Sequence, residues 1–146
     1  MSQQILVRRD TPAWIAQVWI AFILSLSLCA YGVMMVQLQD LEKAFIATGF
    51  VFVLFAALVL AKSLRDNQHE KVDTPIWRIL IWIGFAASLG MLTWGLMSMA
   101  LQDWQLAYLL VSGLFMLSSA FTVSKTIRDK HEADLVEGRH GASSEE

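Results

Sequence analysis

Charge is what this chain has least of. Only 16% of its residues are Asp, Glu, Lys or Arg, where a soluble domain carries about 25%, and those few gather in clusters. Between the clusters, residues 11–39, 44–61, 79–102 and 104–124 contain no charged side chain at all. Each of these stretches is long enough to approach or cross a bilayer. Each is also apolar all round, without the polar face that a surface helix of a soluble protein needs. A soluble helical core is thereby excluded, and the composition is that of a membrane protein.

Other scarcities exclude chemistry. Cys29 is the single cysteine, which rules out a disulfide framework and a cysteine metal box. The three histidines, His69, His131 and His140, fall outside the apolar stretches, so intramembrane haem ligation is excluded. No ionisable side chain falls inside a span, apart from Arg78 one turn from a helix start. Proton relays, ion paths and coupled transport are usually marked by such residues, and the small four-helix multidrug exporters depend on a buried acid that is missing here. The short polar parts hold no phosphate loop, metal box or nucleophile–base pair. The chain is therefore expected to be no enzyme and to carry no cofactor. The net charge of -2 says nothing about partners, because the signs are sorted by side.

What is present is a repeat. Shifted by 63 residues, Asp10-Thr11-Pro12-x-Trp14 falls on Asp73-Thr74-Pro75-x-Trp77. Without a gap, Trp19 falls on Trp82, Gly32 on Gly95, Leu38-Gln39-Asp40 on Leu101-Gln102-Asp103, and Lys62-x-x-Arg65-Asp66 on Lys125-x-x-Arg128-Asp129. Of 57 aligned positions, 21 are identical. Such a repeat fixes the architecture before any single element is read.

The predicted fold class is all-α integral membrane. It has four transmembrane helices arranged as two parallel tandem two-helix hairpin repeats at the 63-residue offset, N-in/C-in. A polar lead over 1–11 precedes a first repeat over 12–66, with spans at about 14–36 and 44–61. A linker at 67–73 leads to a second repeat over 74–129, with spans at about 77–100 and 106–123. An acidic tail follows at 130–146, its helical part ended by Gly138. Thr11-Pro12 and Thr74-Pro75 are helix-start signals, a capping hydroxyl followed by a proline whose missing N–H costs nothing there. A first span of 23 residues reaches roughly 34 Å, enough for a hydrocarbon core of about 30 Å. Arg8-Arg9 before an apolar run imitates a secretory signal. The run is too long for one, Leu28 before Cys29 is not the small residue a lipoprotein site wants, and the segment has a twin at 77–100.

Orientation follows from lysine and arginine. Arg8, Arg9, Lys62, Arg65, Lys71, Arg78, Lys125, Arg128, Lys130 and Arg139 fall on one side and only Lys43 on the other. Both termini and the connector are expected in the cytoplasm. Repeats of two spans each then insert the same way up.

The candidate docking residues are Lys62, Arg65, Asp66, Lys125, Arg128 and Asp129. Cations at a helix C-terminus complement its dipole, snorkel to the interface and attract anionic lipid. An aspartate four residues after the lysine can pair with it, and anchoring alone needs no acid. Anionic headgroups on the cytoplasmic side are the expected partners, with a second copy of the chain or another membrane protein beside them, and no nucleic acid. The candidate helix seam is the small-residue stripe of Ala21, Ser25 and Gly32, matched by Gly84, Ser88 and Gly95, because close packing at small residues joins helices in lipid. Asp40 and Asp103 are expected to cap the helices that follow the outer turns. Trp14, Trp77 and Trp104 are placed near the interfaces, and Trp19, Trp82, Trp94 and Tyr31 are expected to be packing residues.

Paired hairpins with a Gly-centred first helix, a short polar outer turn and a terminal Lys-x-x-Arg-Asp resemble the YiaA/YiaB-type bacterial inner-membrane proteins with the YiaAB two-helix domain. The likeness covers about residues 12–130, twice over. It departs at the outer turns, where the family's Glu-Lys-Gly run is represented by Glu42-Lys43-Ala44 and Gln105-Leu106. The resemblance implies a multi-pass location in the bacterial inner membrane and no activity. Association as scaffold, accessory subunit or self-assembly is the expected role. A small passive pore or exporter and an anionic-lipid or stress sensor are the alternatives.

Overall fold

The computed structural model describes residues 11–69 and 74–143; Arg8, Arg9 and Lys71 of the orientation argument lie outside them. Four helices make up the fold: α1 Pro12–Met35, α2 Asp40–His69, α3 Pro75–Ser98 and α4 Asp103–Ser143. All four are long and apolar enough to cross a membrane.

The starts of α1 and α3 follow the sequence. Thr11 Oγ1 accepts from Trp14 N at 3.3 Å and Thr74 Oγ1 from Trp77 N at 3.4 Å, with proline in the first helical turn of each. The starts of α2 and α4 correct it. Asp40 and Asp103 are already helical, and the capping passes to the side chain two residues on. Glu42 Oε2 accepts from Gln39 N at 3.0 Å, and Gln105 Oε1 from Gln102 N at 3.1 Å. That is the backward half of a capping box. The aspartates keep a favourable place by the helix dipole. At the other end, α4 continues through Gly138 to Ser143. A glycine inside a helix costs about 1 kcal/mol, and no glycine among the described residues adopts the left-handed conformation that would end a helix.

The hairpins are not the packing units. α1 lies along α4 and α3 along α2, α2 and α4 form the centre, and the two helices of one hairpin touch little. The contacts come in pairs related by the repeat. A ring carbon of Tyr108 stands 2.7 Å from where a Cβ on Gly32 would be, and a ring carbon of Phe45, the counterpart of Tyr108, stands 2.3 Å from that point on Gly95. Leu92 covers Gly49 in the same way, while the equivalent positions hold Cys29 and Ser112, both buried. Contacts run in opposite senses along α1 and α4, from Gly32–Tyr108 to Ser25–Ser119. Along α2 and α4 they run in the same sense, from Phe50–Gly113 to Arg65–Ser124.

The central seam uses equivalent positions of both repeats. Ile46, Phe50, Val53, Ala57 and Leu60 are buried in α2, and Leu109, Met116, Ala120 and Val123 in α4, with Gly113 completing the fifth pair. Spacings of four and three residues alternate, the period of a left-handed coiled-coil seam. Ile46, Leu96, Leu109 and Met116 are almost wholly enclosed, so the middle of the bundle is filled by hydrocarbon. The outside is equally apolar: Ile20, Leu24, Phe52, Phe55, Leu80, Val111 and Leu114 are all exposed. Such a surface is stable against lipid tails and not against water.

Two expectations about faces are corrected. Ser25, Gly32, Ser88 and Gly95 are buried and Ala21 half-buried, but Gly84 is exposed with nothing within 4 Å of a Cβ built on it. The start of α3 diverges from α2: residues 74–80 are exposed, and Leu60, Ser63, Leu64, Arg78 and Trp82 border an open groove. Trp19, Trp82, Trp94 and Tyr31 do not pack in the interior. All four are exposed, because in lipid an aromatic ring gains little by turning inward.

Candidate functional site: the basic ends of α2 and α4

The same-sense run of α2 and α4 brings two copies of one motif to the same end of the bundle. Lys62, Asp66, Lys125 and Asp129 are exposed, whereas Arg65 and Arg128 are half-buried. The difference has a structural cause. Arg65 Nε donates to the Ala61 carbonyl at 2.9 Å, and its two terminal nitrogens donate to the carbonyl and the hydroxyl of Ser124 in α4. The guanidinium thus ties one repeat to the other through two helix carbonyls and a hydroxyl, which a planar fork of donors does better than an ammonium. Arg65 pairs with Ser124 rather than with Asp66.

Ser124 is the residue that sequence reasoning missed. Its counterpart in the first repeat is Ala61, so the repeat pattern gave no reason to single it out; the signal lay in the departure from the pattern. One residue before Lys-x-x-Arg-Asp, a hydroxyl replaces a methyl on one side only. Ser63 and Thr126, equivalent to one another, are buried polar residues just past the two lysines. They too were hidden by the view of this segment as a solvated end.

Four of the six candidates share one space. Lys62, Arg65, Asp66 and Arg128 border an open groove of about 540 Å³, with Trp19, Phe22, Leu58 and Ile127 along its apolar wall. Trp19 and Phe22 meet edge to face with centroids 6.4 Å apart. Lys125 and Asp129 project elsewhere from the same end. The arrangement puts cations over an apolar wall, as an amphiphile with an anionic head requires. The pairings expected of Arg128 with Glu132 and of Lys130 with Asp134 need Glu132 and Asp134, residues of α4 of which only the backbone is described.

Of the small-residue candidates, Ser25 makes a polar joint between α1 and α4. Ser25 and Ser119 hydroxyls hydrogen-bond across α1 and α4 at 2.8 Å, with Phe22 O within reach of the Ser25 hydroxyl and Met116 O within reach of the Ser119 hydroxyl, so one serine donates to the other and the other to its own helix. Ser88 bonds only within α3, to Phe85 O at 2.8 Å, because the residue across from it on α2, the counterpart of Ser119, is Ala56.

A family model, the yiaA/B two-helix domain, matches the chain twice, over residues 14–66 and 77–129. The two matches lie in the register of the repeat, and each ends on the aspartate of Lys-x-x-Arg-Asp. No curated protein and no solved structure matches the chain.

Proposed function

The chain belongs to the yiaA/B two-helix domain family, with the domain present twice, and from that premise we propose that it is a non-enzymatic protein of the bacterial inner membrane that works by association. It holds anionic lipid headgroups, and through them or beside them a membrane-protein partner or a second copy of itself, at the basic ends of α2 and α4. The observation that carries this reading is the division of labour within the motif. Arg65 is committed to Ser124, while Lys62 and Lys125 stay exposed at the same end. The arginine builds the platform and the lysines are left to bind.

Both hairpins enter the same way up in this reading, with the termini and the connector cytoplasmic. Ten of the 11 lysines and arginines on one side support that orientation, as do helix contacts that run in one sense along α2 and α4. A pore or exporter finds less support. It needs a polar path, and the open groove of about 230 Å³ between α2, α3 and α4 is lined by Phe50, Val53, Leu92, Leu96 and Met116.

The test is lipid retention by the purified protein, with Lys62 and Lys125 both changed to Ala. Loss of bound anionic lipid with the fold intact is expected; undiminished retention of lipid and of co-eluting protein refutes the proposal.

A further inference from the structure

The end of the bundle opposite the basic motif carries a second groove, of about 350 Å³, between the end of α1 and the start of α4. Tyr31, Gln37, Gln102, Trp104, Gln105 and Tyr108 border it, and no charged side chain does. Its size falls within the range of small-ligand sites, about 300–1,000 Å³.

The polar groups are held in place. Gln105 Oε1 accepts from Gln102 N, Gln102 Oε1 accepts from Trp104 Nε1, and Tyr108 donates its hydroxyl proton to Leu28 O at 3.1 Å. With both carbonyl oxygens taken, the amide NH₂ groups of Gln102 and Gln105 remain as donors. Gln37 adds a donor and an acceptor. Tyr31 and Trp104 flank the opening, 55% and 63% exposed, so two flat apolar rings stand beside three neutral amides.

Helix capping accounts for Gln105 and packing over Gly32 for the Tyr108 ring, but neither accounts for Tyr31, Gln37 or Trp104. The other half of the molecule caps α2 with Glu42 and has Trp94, Ala100, Leu41 and Phe45 where this half has Tyr31, Gln37, Trp104 and Tyr108. Gln102 has its twin in Gln39, but Gln37, Gln105 and the hydroxyls of Tyr31 and Tyr108 occur only where α1 meets α4, which carries no charge where the other half carries Glu42. An ion is a poor fit to such a lining, and so is a wholly apolar chain. A ring with hydroxyls at its rim and C–H groups on its faces fits both parts, since the amides bond the hydroxyls and the aromatic rings cover the faces.

We propose that this groove binds a neutral sugar ring, either as a free saccharide or as the headgroup of a glycolipid. The inference is independent of the lipid reading of the opposite end and of the orientation.

The experiment uses the full chain in phosphatidylcholine nanodiscs and follows the indole N–H resonance of Trp104, assigned with Trp104→Phe. Methyl glucoside, galactoside and mannoside are titrated as free probes; glucosyl-diacylglycerol in the disc is the lipid-borne probe. The expected result is a saturable shift with at least one probe, weakened roughly tenfold or more in Tyr31→Ala/Gln37→Leu. A response to a free glycoside identifies a saccharide site, and a response to the glycolipid alone identifies a headgroup site. No response to any probe overturns the proposal. So does an equal response in the double variant, or an equal response to phosphatidylglycerol. Thermal unfolding of the double variant, expected to match the parent because neither side chain bonds within the described chain, separates loss of binding from loss of fold.

Discussion

Phe50 lies against Gly113, and the two are the same position in the two repeats. A Cβ on Gly113 would stand 2.9 Å from a ring carbon of Phe50. At the central seam, where α2 meets α4, one repeat supplies the ring and the other the space for it. Two identical hairpins could not do this, since they would oppose two rings or two gaps.

Gly113→Phe should therefore destabilise the bundle, by about 1–3 kcal/mol for an overpacked core. Exchanging the pair, Phe50→Gly with Gly113→Phe, should recover much of the loss because the local geometry of the seam repeats. Thermal unfolding of the three proteins in one detergent checks this. If the exchange is as damaging as the sum of its two parts, ring and gap are not coupled.

The glycines of α3 should divide into two classes. Gly95→Val must displace Phe45 and is expected to lower the melting temperature markedly. Gly84→Ala and Gly90→Ala meet nothing within 4 Å and should leave it unchanged or raise it, since alanine is favoured over glycine in a helix by up to about 1 kcal/mol. Equal effects at Gly84 and Gly95 would show that α3 packs on a different face.

Ser25→Ala is expected to cost little, about 0.6 kcal/mol on the scale of hydrogen bonds between helices in membranes. Ser119 keeps Met116 O as a partner when Ser25 is removed, so no buried hydroxyl is left unpaired. Steric fit should outweigh this hydrogen bond, with Gly95→Val several times more damaging than Ser25→Ala in the same assay.

Arg65→Ala and Lys62→Ala/Lys125→Ala should have opposite signatures. The arginine variant gives up its bonds to Ala61 and Ser124 and should lower stability by about 1 kcal/mol. The lysine variant should melt with the parent and release anionic lipid. Ser124→Ala should resemble the arginine variant in part, a link that the repeat pattern does not foresee.

Orientation can be read with thiols. In a Cys29→Ala background, a cysteine at Gln39 should react with a membrane-impermeant reagent added outside intact cells. A cysteine at Lys125 should react only after lysis. The reverse order would invert the molecule.

The starts of α1 and α3, the four apolar runs and the doubling of the unit were legible in the sequence because each rests on local or self-referring information. Thr11-Pro12 caps a helix whatever surrounds it, a run without charge is apolar wherever it lies, and a 63-residue offset needs no coordinates. The basic candidates were legible by type but not by task. Nothing local distinguishes Arg65, which ties α2 to Ser124, from Lys62, which stays exposed. Gly84 was placed on the seam by its spacing from Ser88 and Gly95, and only the divergence of α3 from α2 removed it. In a soluble protein the polar face of a helix announces which side is outside. Here every helix is apolar all round, and lipid accepts any of its faces. Which helix lies on which was therefore decided by shape, by rings set over glycines across the two repeats, together with a few hydrogen bonds between helices such as Ser25–Ser119, and these exist only once the helices have met.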